Sequence, residues 1–155
     1  MSQSKPSATP AAKRPNPAMQ WLTVRGVGMH NFLYKRRIAR NMGPNRLVLV
    51  TVKGRKSGKP ITVPLGTFRD GNDIIVIASM GGADYDPQWW LNMLANPDVT
   101  VQDGDAIKKG RVEWVSDPGQ RADLWKRITA AMPNYGAYEK KTSRVIPLGR
   151  IRQVP

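Results

Sequence analysis

The sequence predicts a mainly β protein with flanking helices, an α+β chain in which helices cap a small antiparallel barrel. Three observations predict it. Apolar, β-branched runs at 47–52, 61–68 and 73–79 are separated by short turns. A second pair of runs, 99–102 and 106–115, brackets Asp103-Gly104-Asp105, and Asp-Gly is a strong hairpin signal. Helix-start dipeptides, Asn16-Pro17, Asp86-Pro87 and Asp117-Pro118, punctuate the chain around these runs.

Residues 1–15 are rich in Ser, Ala, Pro and Lys. Such a mixture buries too little apolar surface to offset ordering, about 1 to 2 kcal/mol per residue, so a disordered basic arm is expected. The rest, 16–155, reads as one domain. Its first helix is expected over 17–40, with Leu22, Gly26, Met29 and Leu33 on one stripe. The runs at 47–52, 61–68 and 73–79 form an antiparallel meander, since neither connecting turn can hold a crossover helix. A short helix capped by Asp86 runs to about Ala95, before Asn96-Pro97. The 99–102 and 106–115 hairpin follows, then a helix from Asp117-Pro118 to about Met132, with Leu124, Ile128 and Met132 on one face. A last strand is expected near 150–154.

The 155 residues carry 25 Lys+Arg against 11 Asp+Glu, a net charge of +14. Residues 1–69 hold 14 basic and no acidic side chains, whereas 70–155 hold 11 of each. Such segregation points to an anionic partner met by the first half: phosphate, poly-carboxylate, nucleic acid or anionic lipid. With no Cys, disulfides, thiolate metal sites and thiol nucleophiles are excluded. The single His30 has no neighbouring Cys, Asp or Glu, which argues against His-pair metal sites and a Ser-His-Asp hydrolase; no metal is expected. No apolar run reaches the roughly 18 residues of a membrane span, and 1–15 lacks a signal-peptide core, so a cytoplasmic place is expected.

Three segments carry candidate chemistry. In Lys53-Gly54-Arg55-Lys56-Ser57-Gly58-Lys59-Pro60, two glycines let backbone N–H groups point at one anion, while Arg55, Lys56 and Lys59 supply charge and Ser57 a hydroxyl. It is no Walker loop, because a strand follows it; the competing reading is a solvated basic hairpin. The second segment, from Ala78 through Ser79, Met80, Gly81 and Gly82 to Gln88, Trp89, Trp90, Leu91 and Asn92, joins a strand end to a helix start beside large aromatics, a place for a flat ring. On the residues alone, Trp89 and Trp90 read better as core. The third, Pro133 to Tyr138, places Tyr135 and Tyr138 after a helix, where a phenol could donate a proton and Gly136 could serve a movable lid.

In order along the chain, Gly54-Arg55-Lys56-Ser57-Gly58-Lys59-Pro60, Pro64-Leu65, Asp70-Gly71, Ala78-Ser79-Met80-Gly81-Gly82, Pro87-Gln88-Trp89-Trp90-Leu91-Asn92 and Asn96-Pro97 resemble the deazaflavin-dependent nitroreductase family of actinobacteria. The resemblance, spanning about 16–147, implies a split antiparallel β-barrel of the FMN-binding flavin-reductase type. It implies reduced coenzyme F420 (F420H2) as hydride donor to a quinone, activated enone or nitro acceptor. Implied coenzyme contacts are Arg55, Lys56 and Ser57; Ile61, Thr62, Val63, Pro64, Leu65 and Gly66; Ile77, Ala78, Ser79 and Met80; and Gln88, Trp89, Trp90, Leu91 and Asn92. Lys59 joins them through its charge. Ser79 corresponds to a serine near the reactive part of the coenzyme, and Tyr135 to a tyrosine near the substrate; these two are the expected catalytic residues. Gly66, Met132, Tyr135 and Tyr138 are expected on the acceptor side. Gly66 and Met132 stand where nitroimidazole-activating members carry tyrosine, so the acceptor pocket should be shaped differently, and Met80 replaces a lysine.

The coenzyme's phosphodiester and glutamate tail are anionic, which agrees with the basic turn. The alternatives are an FMN-binding reductase and a non-catalytic deazaflavin-binding protein. Nucleic acid is a weaker partner, because single-strand binders place aromatics on strands and 47–52 and 73–79 have none. Lys35, Arg36, Arg37 and Arg40 follow an apolar stripe, so docking at an anionic membrane surface is a further expectation.

Overall fold

A computed structural model describes residues 41–42 and 45–154. The arm at 1–15, the helix expected over 17–40 and His30 lie outside the described residues. Seven strands are described: β1 Asn41–Met42, β2 Asn45–Lys53, β3 Pro60–Asp70, β4 Asp73–Ile77, β5 Asp98–Asp103, β6 Ala106–Trp114 and β7 Leu148–Gln153. The helices are α1 Gln88–Ala95, α2 Pro118–Ala131 and α3 Pro133–Glu139, with a 3-10 turn at Met80–Gly82.

The sheet order is β1-β2-β3-β4-β7-β6-β5, and an added β2–β5 pairing closes six strands into an antiparallel barrel. The meander and the β5–β6 hairpin stand as expected. The last strand falls two residues earlier, at Leu148–Gln153, because its register is set by β4, with Ile77 opposite Leu148.

Strand alternation builds the interior. Val48, Val50 and Val52 of β2, Ile74 and Val76 of β4, Val99 and Val101 of β5, Val112 of β6 and Ile151 of β7 form one core with Leu65. Helix α1 closes this core by sending in Trp90 and Met93. Trp90 sits over Gly149, where an added Cβ would lie 2.9 Å from the indole, so this glycine is needed for close approach. Truncating such an aromatic typically costs about 3 to 5 kcal/mol.

The opposite face of β4 is buried too. Ile75 and Ile77 pack under Leu124, Trp125 and Ile128 of α2, with Met132, Tyr135, Ile146 and Leu148. Burial on both faces explains why β4 is an unbroken apolar run rather than an alternating one.

Two local expectations change. Asp86 does not cap the first described helix, which begins after Pro87 with no side-chain cap; its carboxylate is drawn to Arg144 instead. The 133–138 segment, expected as a turn or lid, is helix α3, because Pro133 at its first turn is pre-set for helical φ. Asp117 does cap α2, accepting from the Gln120 N–H at 2.7 Å.

Candidate functional site

β3 and β4 differ in length, and the difference makes the site. β3 pairs with β2 from Pro60 to Thr67, but with β4 only from Thr67 to Asp70. Ile61–Gly66 therefore have β2 on one side and no described strand on the other. These six are the β3 residues expected at the coenzyme. Pro64 has no N–H and sits where an open edge tolerates it.

The basic turn of Gly54–Lys59 stands at one end of this edge. Its geometry is narrower than the sequence suggested. Gly54 N–H donates to Lys59 O and Gly58 N–H to Gly54 O, each at 2.8 Å. The Lys59 N–H donates to Ser57 Oγ at 3.2 Å, leaving that hydroxyl's proton to donate outward. Only the Lys56 and Ser57 N–H groups of the turn stay without a hydrogen bond among the described residues.

Arg55 is tied down from α1. Asn92 Oδ1 accepts from its backbone N–H at 3.1 Å and its Nη1 at 2.8 Å, and Gln88 Oε1 accepts from Nη2 at 2.8 Å. These partners are neutral. Every other described arginine faces a carboxylate: Arg46, Arg69, Arg111, Arg127, Arg144, Arg150 and Arg152 in ion pairs, and Arg121 through the field of Glu139. The turn thus holds an oriented, uncompensated guanidinium beside exposed Lys56 and Lys59. Arg69, the last cation of the all-basic first half, is at the far end of β3 and bound to Asp103.

At the other end of the edge, β4 stops at Ile77 rather than Ser79, because the Ser79 N–H turns back to Ile77 O at 2.9 Å. Met80, Gly81 and Gly82 then have φ of 47°, 65° and 87°. Gly82 is required there: a Cβ would meet the Tyr138 carbonyl oxygen at 2.7 Å. The turn is thereby seated on α3. Ser79 is 8% exposed, and its Oγ makes no hydrogen bond among the described residues, which leaves the hydroxyl open to a ligand or to solvent.

Tyr135 is in the outer core, with the Tyr138 ring edge-on at 5.7 Å. Burial, then the nearby Tyr138, pushes its phenol up to about 12, so it stays protonated at neutral pH. Met132 is 2% exposed in the same core, and Trp90 1% exposed in the inner one. Leu65, Ile77 and Ala78 are also buried. The side chains of these five pack in the two cores: α1 fills the barrel with Trp90, and α2 covers β4 with Met132. Trp89 and Val63 are partly buried against the inner core, Gly66, Leu91 and Tyr138 are half-buried, and Met80 and Ile61 are exposed.

Sequence reasoning missed Arg144. Its side chain is 2% exposed and meets Asp86, 7% exposed, at 3.0 Å. Burial pushes the Asp86 carboxyl up from its ordinary value against the pull of Arg144. An Arg in Thr142-Ser143-Arg144 carries no local motif, and the exposed Glu139-Lys140-Lys141 just before it makes it read as one more solvated charge.

An anionic, ring-bearing coenzyme fits what is present: an uncompensated arginine, two unused turn N–H groups, an open strand edge and an unpartnered serine hydroxyl. Fold and site together define a split-barrel protein with an open strand edge beside an arginine that no carboxylate neutralises. Comparison with known proteins makes this specific. The profile of the family described as F420H(2)-dependent quinone reductase matches residues 31–151. A Mycobacterium tuberculosis (H37Rv) relative whose name places it in that family is 35% identical over 105 residues, 68% of this chain and 87% of the relative. The F420H(2)-dependent quinone reductase Rv1261c of the same strain is 35% identical over 111 residues, 68% of this chain and 71% of its own. The solved F420-H2 Dependent Reductase FDR-A is 36% identical with a TM-score of 0.62, over 68% of this chain and 93% of that one. The chain belongs to the F420H2-dependent quinone reductase family, oxidoreductases that use reduced coenzyme F420 to reduce a quinone.

Proposed function

We propose that the coenzyme lies along the open edge of β3, with its anionic tail at the Gly54–Lys59 turn and its ring end at Ser79. The carrying observation is Arg55, fixed by the Asn92 and Gln88 amides and left without a carboxylate. Bound there, the reduced deazaflavin supplies the hydride. Arg55, Lys56 and Lys59 hold negative charge, and the Lys56 and Ser57 N–H groups and the Ser57 hydroxyl complete the cradle. Ser79 Oγ donates to the oxygen that becomes anionic as a quinone is reduced. Tyr135, protonated at neutral pH, supplies the proton that accompanies the hydride. Tyr138 and the half-buried Gly66 flank the acceptor; enones and nitro compounds are further acceptors of the same chemistry, in which an electron-poor π system takes hydride and a proton.

The test is direct. Purified protein should quench coenzyme F420 fluorescence, fail to bind FMN with comparable affinity, and oxidise F420H2 only when a menadione-like quinone is added. Tight FMN binding, or coenzyme binding without turnover on any quinone, would overturn the proposal. Tyr135→Phe should lower turnover by about tenfold or more with little change in coenzyme affinity. A loss of affinity with turnover intact would make Tyr135 a binding residue.

The proposal includes a cytoplasmic place and docking on an anionic membrane, supported by the positive charge concentrated before Asp70. No described helix is long and apolar enough to cross a membrane. Replacing Lys35, Arg36, Arg37 and Arg40 by Gln in the full chain should reduce co-sedimentation with anionic vesicles. Equal pelleting would remove the membrane from the scheme.

A further inference from the structure

Beyond Ser79 the chain adopts three consecutive left-handed conformations, Met80, Gly81 and Gly82, in a single short turn whose last residue lies against α3. Their own hydrogen bonds are short-range: Gly82 N–H to Ser79 O at 2.9 Å and Ala83 N–H to Met80 O at 3.2 Å. These bonds shape the turn but do not fix it on the barrel. Arg144 does. Its Nη2 donates to both Ala78 O and Ser79 O at 2.9 Å, and its Nε to Ala83 O at 2.7 Å. The fork therefore grips the chain before and after the left-handed run, while Asp86 takes Nη1 at 3.0 Å. Arg144 is itself held rigidly: Pro147 O accepts from the Ala78 N–H at 3.0 Å, and β7 begins at Leu148 against Ile77 of β4.

Burying an ion pair is an expensive way to hold a loop, since apolar residues of similar volume often do so at least as well. What the pair adds is direction, because a planar guanidinium fixes several acceptors at once. Ser79 Oγ makes no hydrogen bond of its own among the described residues. Its aim is thus inherited from the backbone carbonyl that Arg144 grips.

We propose that Arg144, seated on Asp86, is the positioning residue that aims Ser79 at the reactive end of the coenzyme groove. This rests on the placement of the coenzyme argued above. Arg144 bonds the Ser79 turn and Asp86 but neither Gln88 nor Asn92, which hold Arg55, so it governs turnover more than coenzyme affinity.

A double-mutant cycle tests it, using the full chain with F420H2 and menadione. Arg144→Lys keeps the charge and loses the fork; kcat should fall by about tenfold or more, with the coenzyme Kd by fluorescence within about threefold. Ser79→Ala should lower kcat about tenfold in the native protein, but less than about twofold in the Arg144→Lys background. Independent effects that multiply would overturn the proposal, as would a silent Ser79→Ala. If circular dichroism shows Arg144→Lys unfolded, the same cycle is run with Arg144→Gln, whose amide NH2 cannot reach all three carbonyls at once; the same two patterns decide. A native protein that neither binds nor oxidises F420H2 removes the coenzyme placement itself, before any variant is made.

Discussion

The two ends of β3 both carry basic groups, and their electrostatics are opposite. At the Asp70 end, Arg46 and Arg69 share Asp103, Arg127 and Arg150 meet Asp70, and Arg150 also meets Asp73. At the Pro60 end, Arg55 meets only amide oxygens, and Lys53, Lys56 and Lys59 form no salt bridge among the described residues. An 11-residue strand separates them, about 35 Å at roughly 3.3 Å per residue. Charge concentrated in a sequence does not make a binding field; charge left without a counter-charge does. The first end is architecture, tying the barrel to α2, and the second, with charge that no carboxylate neutralises, is where the coenzyme's anionic tail is proposed to sit.

The sharpest way to break this contrast is to truncate one arginine at each end. Arg55→Ala should weaken coenzyme binding by about 30- to 100-fold, the worth of a charge-assisted hydrogen bond to an anion, read by fluorescence titration. The fold should survive, because the backbone N–H that reaches Asn92 remains. Arg69→Ala should leave the coenzyme Kd within about twofold. Equal losses at the two positions would mean that the groove runs the full length of β3.

The reverse experiment reads stability. Asp70→Ala removes one of two partners of Arg127, which keeps Asp123, and one of two partners of Arg150. Arg127 is substantially exposed and its pair is screened, whereas Arg150 keeps Asp73, so the expected loss is about 1 to 2 kcal/mol in a urea titration. Coenzyme affinity should not change. A shifted Kd with intact stability would exchange the roles of the two ends.

The meander, the hairpin and helix α2 were legible because their signals are local: β-branched runs, Asp-Gly turns and an Asp-Pro helix start. The open edge of β3, the proposed coenzyme seat, was half legible. The motif order along the chain pointed to Arg55, Gln88 and Asn92, and the structure brings those three together. That β3 outruns β4 was not legible, because the missing pairing depends on where β4 stops, and β4 stops through a backbone turn at Ser79. Charge pairing was the least legible feature. Arg69 and Arg55 look alike in sequence, and only contacts across more than thirty residues separate them, Asp103 for one and Asn92 for the other. Asp86 failed for the same reason: next to Pro87 it reads as a cap, and a partner 58 residues away takes it instead.

The smallest expected effect concerns Lys56, and it tests the mechanism of the contrast rather than its existence. Lys56 is exposed and bonded to nothing among the described residues, so its charge acts through water and is worth about 0.2 to 1 kcal/mol, a factor of roughly two to five in affinity. Arg55, fixed by two side-chain amides, should act largely through direct hydrogen bonds that salt screens less. Raising ionic strength shortens the screening length from about 10 Å at 0.1 M to about 3 Å at 1 M. The native protein and Lys56→Ala should therefore differ in coenzyme Kd at low salt and converge at high salt, while Arg55→Ala stays weak throughout. A Lys56 effect that persists undiminished at high salt would mean a direct contact, moving Lys56 from the field around the cradle into the cradle itself. An affinity unchanged at every salt concentration would remove it from the site and leave Arg55 and the two turn N–H groups as the whole of the anion's seat.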